Sequence, residues 1–323
     1  MLATTGVDYW DGAKGCPAFG RNGTYNAYNF NAEAVGIIHT HAAENEKAGT
    51  PLFLYLALQN THDPIQAEPR FEALYPHVEF QARQTYLAMA SAVDEVVANV
   101  TGALKETGLW ETTLLVFSSD NGAPGSGSNF PLRGYKLSNF EGGTRTPAFV
   151  SGGLLPAAVR GKPADGLAGI YDWSATFYAL AGAKVPPSGI DGLDLWPWLS
   201  GEAAESPRKE VAYMLGGRGA MRDEQYKIIV GRCCPEGYPG LCQRGGPQSP
   251  NASTHMNTTD TACTEGPCVF DLKNDPREEH NINATQPDVT ARLMRRFQVR
   301  CDLHTRRFLK HLCPSSPSRK LER

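Results

Sequence analysis

Residues 112–122 read Thr-Thr-Leu-Leu-Val-Phe-Ser-Ser-Asp-Asn-Gly. An apolar run of this length, closed by turn-forming residues, predicts a buried strand over 112–117. A carboxylate and an amide follow it at once on a turn that Gly122 permits. In open α/β sheets, ligands gather outside the carboxyl ends of strands. Two adjacent oxygen ligands there suit a hard cation such as Ca²⁺ or Mg²⁺. The same triad also makes an ordinary turn, because Asp, Asn and Gly supply left-handed conformations and side-chain-to-backbone bonds.

Working outward, Tyr86, Met89, Val93, Val96, Val97, Val100 and Leu104 recur at three and four residues. That spacing predicts an amphipathic helix, stopped at Gly108. Before it, residues 51–59 (PLFLYLALQ) form a near-continuous apolar run, which predicts a strand covered on both faces. Ala34, Val35, Ile38 and Ala42 predict a helix over 31–47, residues 147–151 a third short strand, and 172–181 a helix with an Asp at its start. The alternation of strand and helix implies an α/β fold with a mixed, mostly parallel central sheet flanked by helices. After Pro186, Pro, Gly and Cys rise and the apolar runs shorten. Strands over 211–215, 226–230 and 268–272 and a helix over 289–299 predict a small α+β C-terminal subdomain. The expected division is 1–200, 201–313 and a polar, disordered tail over 314–323.

The chain has 323 residues and a formal net charge of -3. No field of one sign points to nucleic acid or an anionic membrane surface. The longest strongly apolar run, near residues 51–58, is far too short to span a bilayer. Residues 1–12 show neither a basic nor an apolar leader segment, so no signal peptide is visible. Seven of the eight Cys nevertheless lie after residue 230. Asn22, Asn99, Asn251, Asn257 and Asn283 each open an N-glycosylation sequon. Together they favour an oxidising, secretory context, lysosomal or extracellular, over a cytosolic protein with idle sequons. Eight Cys allow 105 pairings, and no connectivity is assigned.

Two further stretches carry chemical side chains. His62, in Gln59-Asn-Thr-His-Asp-Pro64, follows directly on the 51–59 run; an imidazole there could serve an anionic substrate or protonate a leaving oxygen. Arg133 and Lys136, in Pro131-Leu-Arg-Gly-Tyr-Lys136, and Arg145, in Glu141-Gly-Gly-Thr-Arg-Thr-Pro147, could neutralise an oxyanion. Each is also an ordinary loop residue when taken alone.

In combination these stretches resemble the type I sulfatases of the alkaline-phosphatase superfamily, most closely the arylsulfatase B type. The similarity runs through 51–64, 93–122 and 129–147, and more loosely through Asp172-Trp173, Asp191-Gly-Leu-Asp194 and 269–276. Asp8-Tyr9-Trp10 looks like the family's substrate-side loop. The resemblance implies Asp120 and Asn121 as two ligands of one Ca²⁺ ion, with Asp120 beside the nucleophile. It implies Lys136 and His62 as holders of the sulfate and ester oxygens, one of them helping the alcohol depart. The implied partner is a sulfated carbohydrate or aryl sulfate.

The family also carries an Asp-Asp pair, a Cys-x-Pro-Ser-Arg motif matured to formylglycine, and a Gly-Lys-x-x-His segment. None of these stands upstream of residue 51, and Cys16 is followed by Pro-Ala-Phe. Ser315-Ser-Pro-Ser-Arg319 fits the serine form of the maturation motif but falls in the polar tail, where such matches are common. The expectation is therefore a sulfuric ester hydrolase whose given chain is incomplete and inactive. The alternative is a degenerate sulfatase-like glycoprotein that binds sulfated polysaccharide without cutting it. A two-zinc phosphohydrolase would need more His ligands than His62 alone.

Overall fold

The computed structural model describes residues 9–21, 23–45, 49–183, 190–215, 218–232 and 262–312. The predicted tail, the 315–319 motif, three of the sequons and Cys233, Cys234, Cys242 and Cys313 lie outside them. Two compact units result: Met1–Leu115 with Gly152–Leu154, and Val116–Ser151 with Leu155–Arg323.

In the first unit, a hairpin of β1 (Trp10–Asp11) and β2 (Cys16–Pro17) leads to helix α1 (Asn26–Asn45). The turn α2 (Pro69–Glu72) starts on a proline, whose missing N–H costs nothing at a first helical position. The long helix α3 spans Gln81–Glu106. Its Ala88, Ala92 and Val96, each four residues apart, lie on one face and pack with Ala27 and Phe71. Ala103 and Leu104 close on Ile38 two turns further along. Side chains as short as alanine let helices approach closely, and burying Ile38 contributes about 1.5–3 kcal/mol. Gly108 ends the helix in the left-handed conformation, φ 73°, as its place in the sequence predicted.

Two sequence readings need correction here. Helix α3 is long and apolar enough, by length and composition, to cross a membrane. A search for unbroken apolar runs overlooks it because its polar residues are interspersed, yet its apolar stripe is packed as in a core helix. The 51–59 run is not a strand covered on both faces. It forms no ladder among the described residues and alternates in exposure. Leu56 and Leu58 pack on the α1–α3 core. Phe53 and Tyr55, on the opposite side, are 69% and 82% exposed. The run is thus apolar on both faces but buried on one.

In the second unit, β3 (Leu115–Ser118) pairs with β4 (Ala148–Ser151), α5 (Asp172–Leu180) begins at the predicted aspartate, and the short turn α6 (Trp196–Leu199) comes after it. A four-stranded antiparallel meander follows: β5 (Glu210–Leu215), β6 (Arg218–Asp223), β7 (Tyr226–Arg232) and β8 (Ala262–Asp271). Strand β6 had no counterpart in the sequence reading. Helix α7 (Pro287–Leu312) lays Leu293 and Phe297 on Met221, Ile228 and Val269. The opposite face, with Ala220, Ile229 and Phe270, receives Phe140. Cys263 and Cys268 are joined by a disulfide across an irregularity in β8.

The second face also carries charge. Arg222 and Lys227 are direct cross-strand partners. Two cations so placed repel. The carboxylate of Glu141, which opens the short turn α4 (Glu141–Thr144), resolves this by taking Arg222 at 2.7 Å and Lys227 at 3.0 Å. Lys227 also lies 3.0 Å from Glu278, and Glu278 accepts the Glu141 N–H at 2.6 Å. Lys227 and Glu278 are fully buried. Burial alone would raise the Glu141 carboxyl, but Lys227 and Arg222 overcome it and hold it below its ordinary value. Glu278 is raised, by its burial and by the nearby Glu141 charge, against the pull of Lys227. A second buried pair stands apart from this cluster. Asp172 takes Arg208 through two bonds of 2.6 and 2.5 Å and two backbone N–H groups besides.

Replacing Lys227 by Ala leaves the buried Glu278 without a cation and Glu141 with Arg222 alone, so urea unfolding of Lys227→Ala should show a loss of about 3–5 kcal/mol. The two glutamates respond to pH with opposite signs. For Glu141, with a depressed folded value, the stabilisation is present above the ordinary 4.5 and lost as pH falls through the folded value. For Glu278, with a raised one, it is present below 4.5 and lost as pH rises through the folded value. The stability gap between wild type and Glu141→Gln should therefore narrow on acidification below about pH 4.5, where an unchanged gap would contradict this account.

Candidate functional site

The Asp-Asn-Gly turn sits where β3 ends. Phe117 stacks on Phe149 of β4 with ring centres 5.0 Å apart, and the Ser119 N–H donates to the Pro147 carbonyl at 3.1 Å. Asp120 is exposed. Its Oδ1 accepts the N–H of Asn121 at 2.7 Å, and no partner for Oδ2 occurs among the described residues. The Asn121 amide donates to the Gly122 carbonyl at 3.0 Å, which turns its oxygen away from that bond. A carboxylate oxygen and an amide oxygen are thus left uncommitted on adjacent residues.

Gly122 explains why the turn is held so firmly. Its N–H donates to the Gly143 carbonyl at 3.0 Å. A Cβ on Gly122 would lie 1.8 Å from the Gly142 carbonyl oxygen. Gly142 in turn donates to the Arg133 carbonyl at 2.7 Å, and a Cβ there would meet the Gly134 and Arg133 carbonyls at 2.4 and 2.5 Å. Three glycine-bearing turns, at 120–122, 133–134 and 141–143, are therefore stacked backbone on backbone. Asn129 ties the first two together: its side chain accepts from Ala123 N at 2.8 Å and donates to the Ala123 and Gly134 carbonyls, both at 3.1 Å.

Lys136 is carried by this knot. Its backbone N–H reaches the Ala123 carbonyl at 3.5 Å, a weak bond. The side chain is half-buried, and its ammonium pairs with no carboxylate among the described residues. Asp120, Asn121 and Lys136 thus sit on interlocked turns of one unit. His62 belongs to the other unit. It is exposed, its N–H donates to the Gln59 carbonyl at 3.0 Å, and its Nδ1 lies 3.0 Å from the Asp63 carbonyl. The loop thereby fixes one ring nitrogen, and Nε2 has no partner among the described residues.

The basic and acidic residues around Lys136 are assigned differently from the sequence reading. Arg133 is buried, lies over the Phe140 ring at 4.1 Å and donates to the Glu278 carbonyl at 2.9 Å. It holds structure and is not placed to meet an oxyanion. Glu141 belongs to the buried charge cluster. Arg145 is exposed. Asn129, Lys227 and Glu278 support the knot and were not found in the sequence. Glu278 alone gave a backbone sign, a positive φ of 56° in a non-glycine residue. A separate group, Asp275 with Glu279 and His280, lies after β8. There Asp275 accepts the Glu279 and His280 N–H groups at 3.0 and 2.8 Å, which is turn capping.

A model of the family described as Sulfatase matches residues 4–183. The chain belongs to the sulfatase family. This sulfatase is 30% identical to mouse arylsulfatase J over 305 residues, 85% of this chain and 48% of the relative. It is 31% identical to rat N-acetylgalactosamine-6-sulfatase over 299 residues, 88% of this chain and 52% of the relative. Among solved structures it is similar to Ps i-CgsB in complex with k-i-k-neocarrahexaose, with TM-score 0.69 and 27% identity over 86% of this chain and 55% of that one. The type I assignment and the alkaline-phosphatase-like α/β fold stand on these matches. The sulfatase chain spans about half the length of the curated relatives it matches.

Gly122→Ala forces two backbones apart. Thermal and urea unfolding should show a cost of about 1–3 kcal/mol, the scale of overpacking in a closed site. A wild-type midpoint would mean that the 120–122 and 141–143 turns are not in contact in solution.

Proposed function

We propose that this chain is the metal- and sulfate-holding portion of a sulfuric ester hydrolase of the arylsulfatase type that acts on sulfated glycans. One observation carries the reading: two uncommitted oxygens, from Asp120 and Asn121, ride on the same knot as the unpaired ammonium of Lys136. Both oxygens are hard donors, so the set fits Ca²⁺ and not a soft metal. They supply two of the six to eight oxygens such an ion takes. When bound, the ion would neutralise charge developing on the sulfuryl oxygens.

The chain's own side chains divide the rest of the work. Lys136 provides a cation with no competing carboxylate among the described residues, which favours an anionic group over solvent. His62, with Nδ1 occupied by its own loop, offers Nε2 for a proton to or from the ester oxygen. Asp120 has one open oxygen, Oδ2, and the ion would occupy it. Residues 1–323 contain no Cys-x-Pro-Ser-Arg. Binding and positioning are therefore what these residues contribute. The glycan class is supported by the names of two relatives, N-acetylgalactosamine-6-sulfatase and the neocarrahexaose-bound Ps i-CgsB. The arylsulfatase B type is the narrower form of the same proposal. The disulfide Cys263–Cys268 and the exposed sequon Asn99 support passage through the secretory pathway.

Calorimetric titration of the purified chain with Ca²⁺ should show weak binding, abolished by Asp120→Ala. With Ca²⁺ present, a sulfated disaccharide should bind, and Lys136→Ala should weaken it about tenfold, the loss of one charge-assisted contact of about 1.4 kcal/mol. Turnover of a chromogenic aryl sulfate should equal that of the Asp120→Ala control. Sulfated-sugar binding indifferent to both Ca²⁺ and Lys136 would refute the proposal.

A further inference from the structure

A second, basic cleft lies in the C-terminal part of the same unit, against the β6–β7 turn and helix α7. It has a volume of about 310 Å³; its walls carry the cations Lys209, Lys273, Arg292 and Arg296 against the carboxylates Asp223 and Glu224. No sequence motif pointed to it, and nothing in the proposed mechanism uses it.

Its cations are arranged in an unusual way. Asp223 spends Oδ1 on the Gln225 and Tyr226 N–H groups, at 3.0 and 2.7 Å. Its Oδ2 takes Arg292 at 2.9 Å and lies 3.7 Å from Arg296. Glu210 pairs with Arg296 and with Arg300. The two carboxylates are largely buried, at 14% and 15% exposure, whereas the three arginine side chains remain 39–46% open. Each guanidinium has five donors in a rigid fork, so one bond inward leaves several directed outward. The buried carboxylates therefore act as props that fix the forks at the surface.

Arg292, Arg296 and Arg300 recur every four residues, on one face of α7 and about 6 Å apart along its axis. Lys273, on the other wall, is exposed and has no carboxylate partner among the described residues. Lys209 is spent on Glu205 and Glu224. Tyr226 gives the cleft one aromatic wall, already under Arg292 at 5.7 Å. A row of propped guanidiniums facing a free lysine suits a linear polyanion better than a single small anion, because successive charges meet successive cations.

We propose that this cleft is an accessory binding site for the sulfated glycan chain, separate from the Asp120–Lys136 knot. The substrate class rests on the proposed function above. The site itself rests on the arginine row and Lys273.

Calorimetry with a chondroitin sulfate hexasaccharide tests it, using the Lys136→Ala chain in EDTA so that neither the ammonium nor an ion contributes at the knot. Binding should persist there, weaken about tenfold with Lys273→Glu added, and weaken with Arg292→Lys, which keeps the charge but loses the fork. Unsulfated chondroitin hexasaccharide, which keeps only its uronate carboxylates, should bind more weakly. Unchanged melting temperatures show that each variant is folded. If Lys136→Ala alone abolishes binding, the accessory site is refuted while the functional reading stands. The accessory site also falls if Lys273→Glu and Arg292→Lys both bind as tightly as their parent. Failure of the unaltered chain to bind the sulfated hexasaccharide would refute both.

Discussion

The ammonium of Lys227, enclosed between Glu141 and Glu278, is the contact on which the second unit depends. Charges removed from water to this extent cost several kcal/mol each unless their partners are close and well oriented. The arrangement meets that condition. One carboxylate takes two cations from neighbouring strands, and the other takes the lysine and caps a backbone N–H. Glu141 heads the turn whose glycines support Gly122. One path from the C-terminal meander to the Asp120 turn has two steps: ion pair to α4, then carbonyl to glycine.

That path explains the composition of the knot. Side chains of any size would hold the turns apart, and apolar packing would leave Arg222 and Lys227 facing each other across the ladder. Glycines admit the backbones, and the glutamate separates the cations. The metal-facing residues themselves contribute little to this scaffold. Asp120 and Asn121 make only local bonds, which leaves their oxygens available for a ligand.

Much of this was legible from the chain. Helix α3 showed because its periodicity is long and unbroken; β3 showed as a short apolar run, although the strand begins only at Leu115 and is half-buried; and the turn after it showed because Asp, Asn and Gly stand directly behind it. Strand β6 did not, for its Arg-Gly-Ala-Met-Arg-Asp offers only Ala220 and Met221 to the core, one on each face. Both faces are covered, so no alternation of apolar and polar residues appears. The 51–59 run was misjudged for the converse reason: an apolar composition reports what can be buried, and Phe53 and Tyr55 are not. Lys136 and Asp120 stood out in the sequence because they follow strands or glycines, and they remain proposed site residues. Lys227 and Glu278 were not, since their partners are 86 and 137 positions distant. Arg133 was given to the wrong chemistry because exposure cannot be read from a loop.

The disulfide in β8 has a consequence for how the meander ends. Cys263 faces Gly231 and Cys268 faces Ile229, so four residues of β8 bulge out opposite the single Val230. The covalent bridge shuts the neck of that detour. Since β8 forms the outer margin of the meander, a foreign strand approaching it meets a protruding loop that includes Pro267, which has no N–H to offer. The cystine thereby makes this one margin a poor template for another strand; the other margin of the sheet is β5.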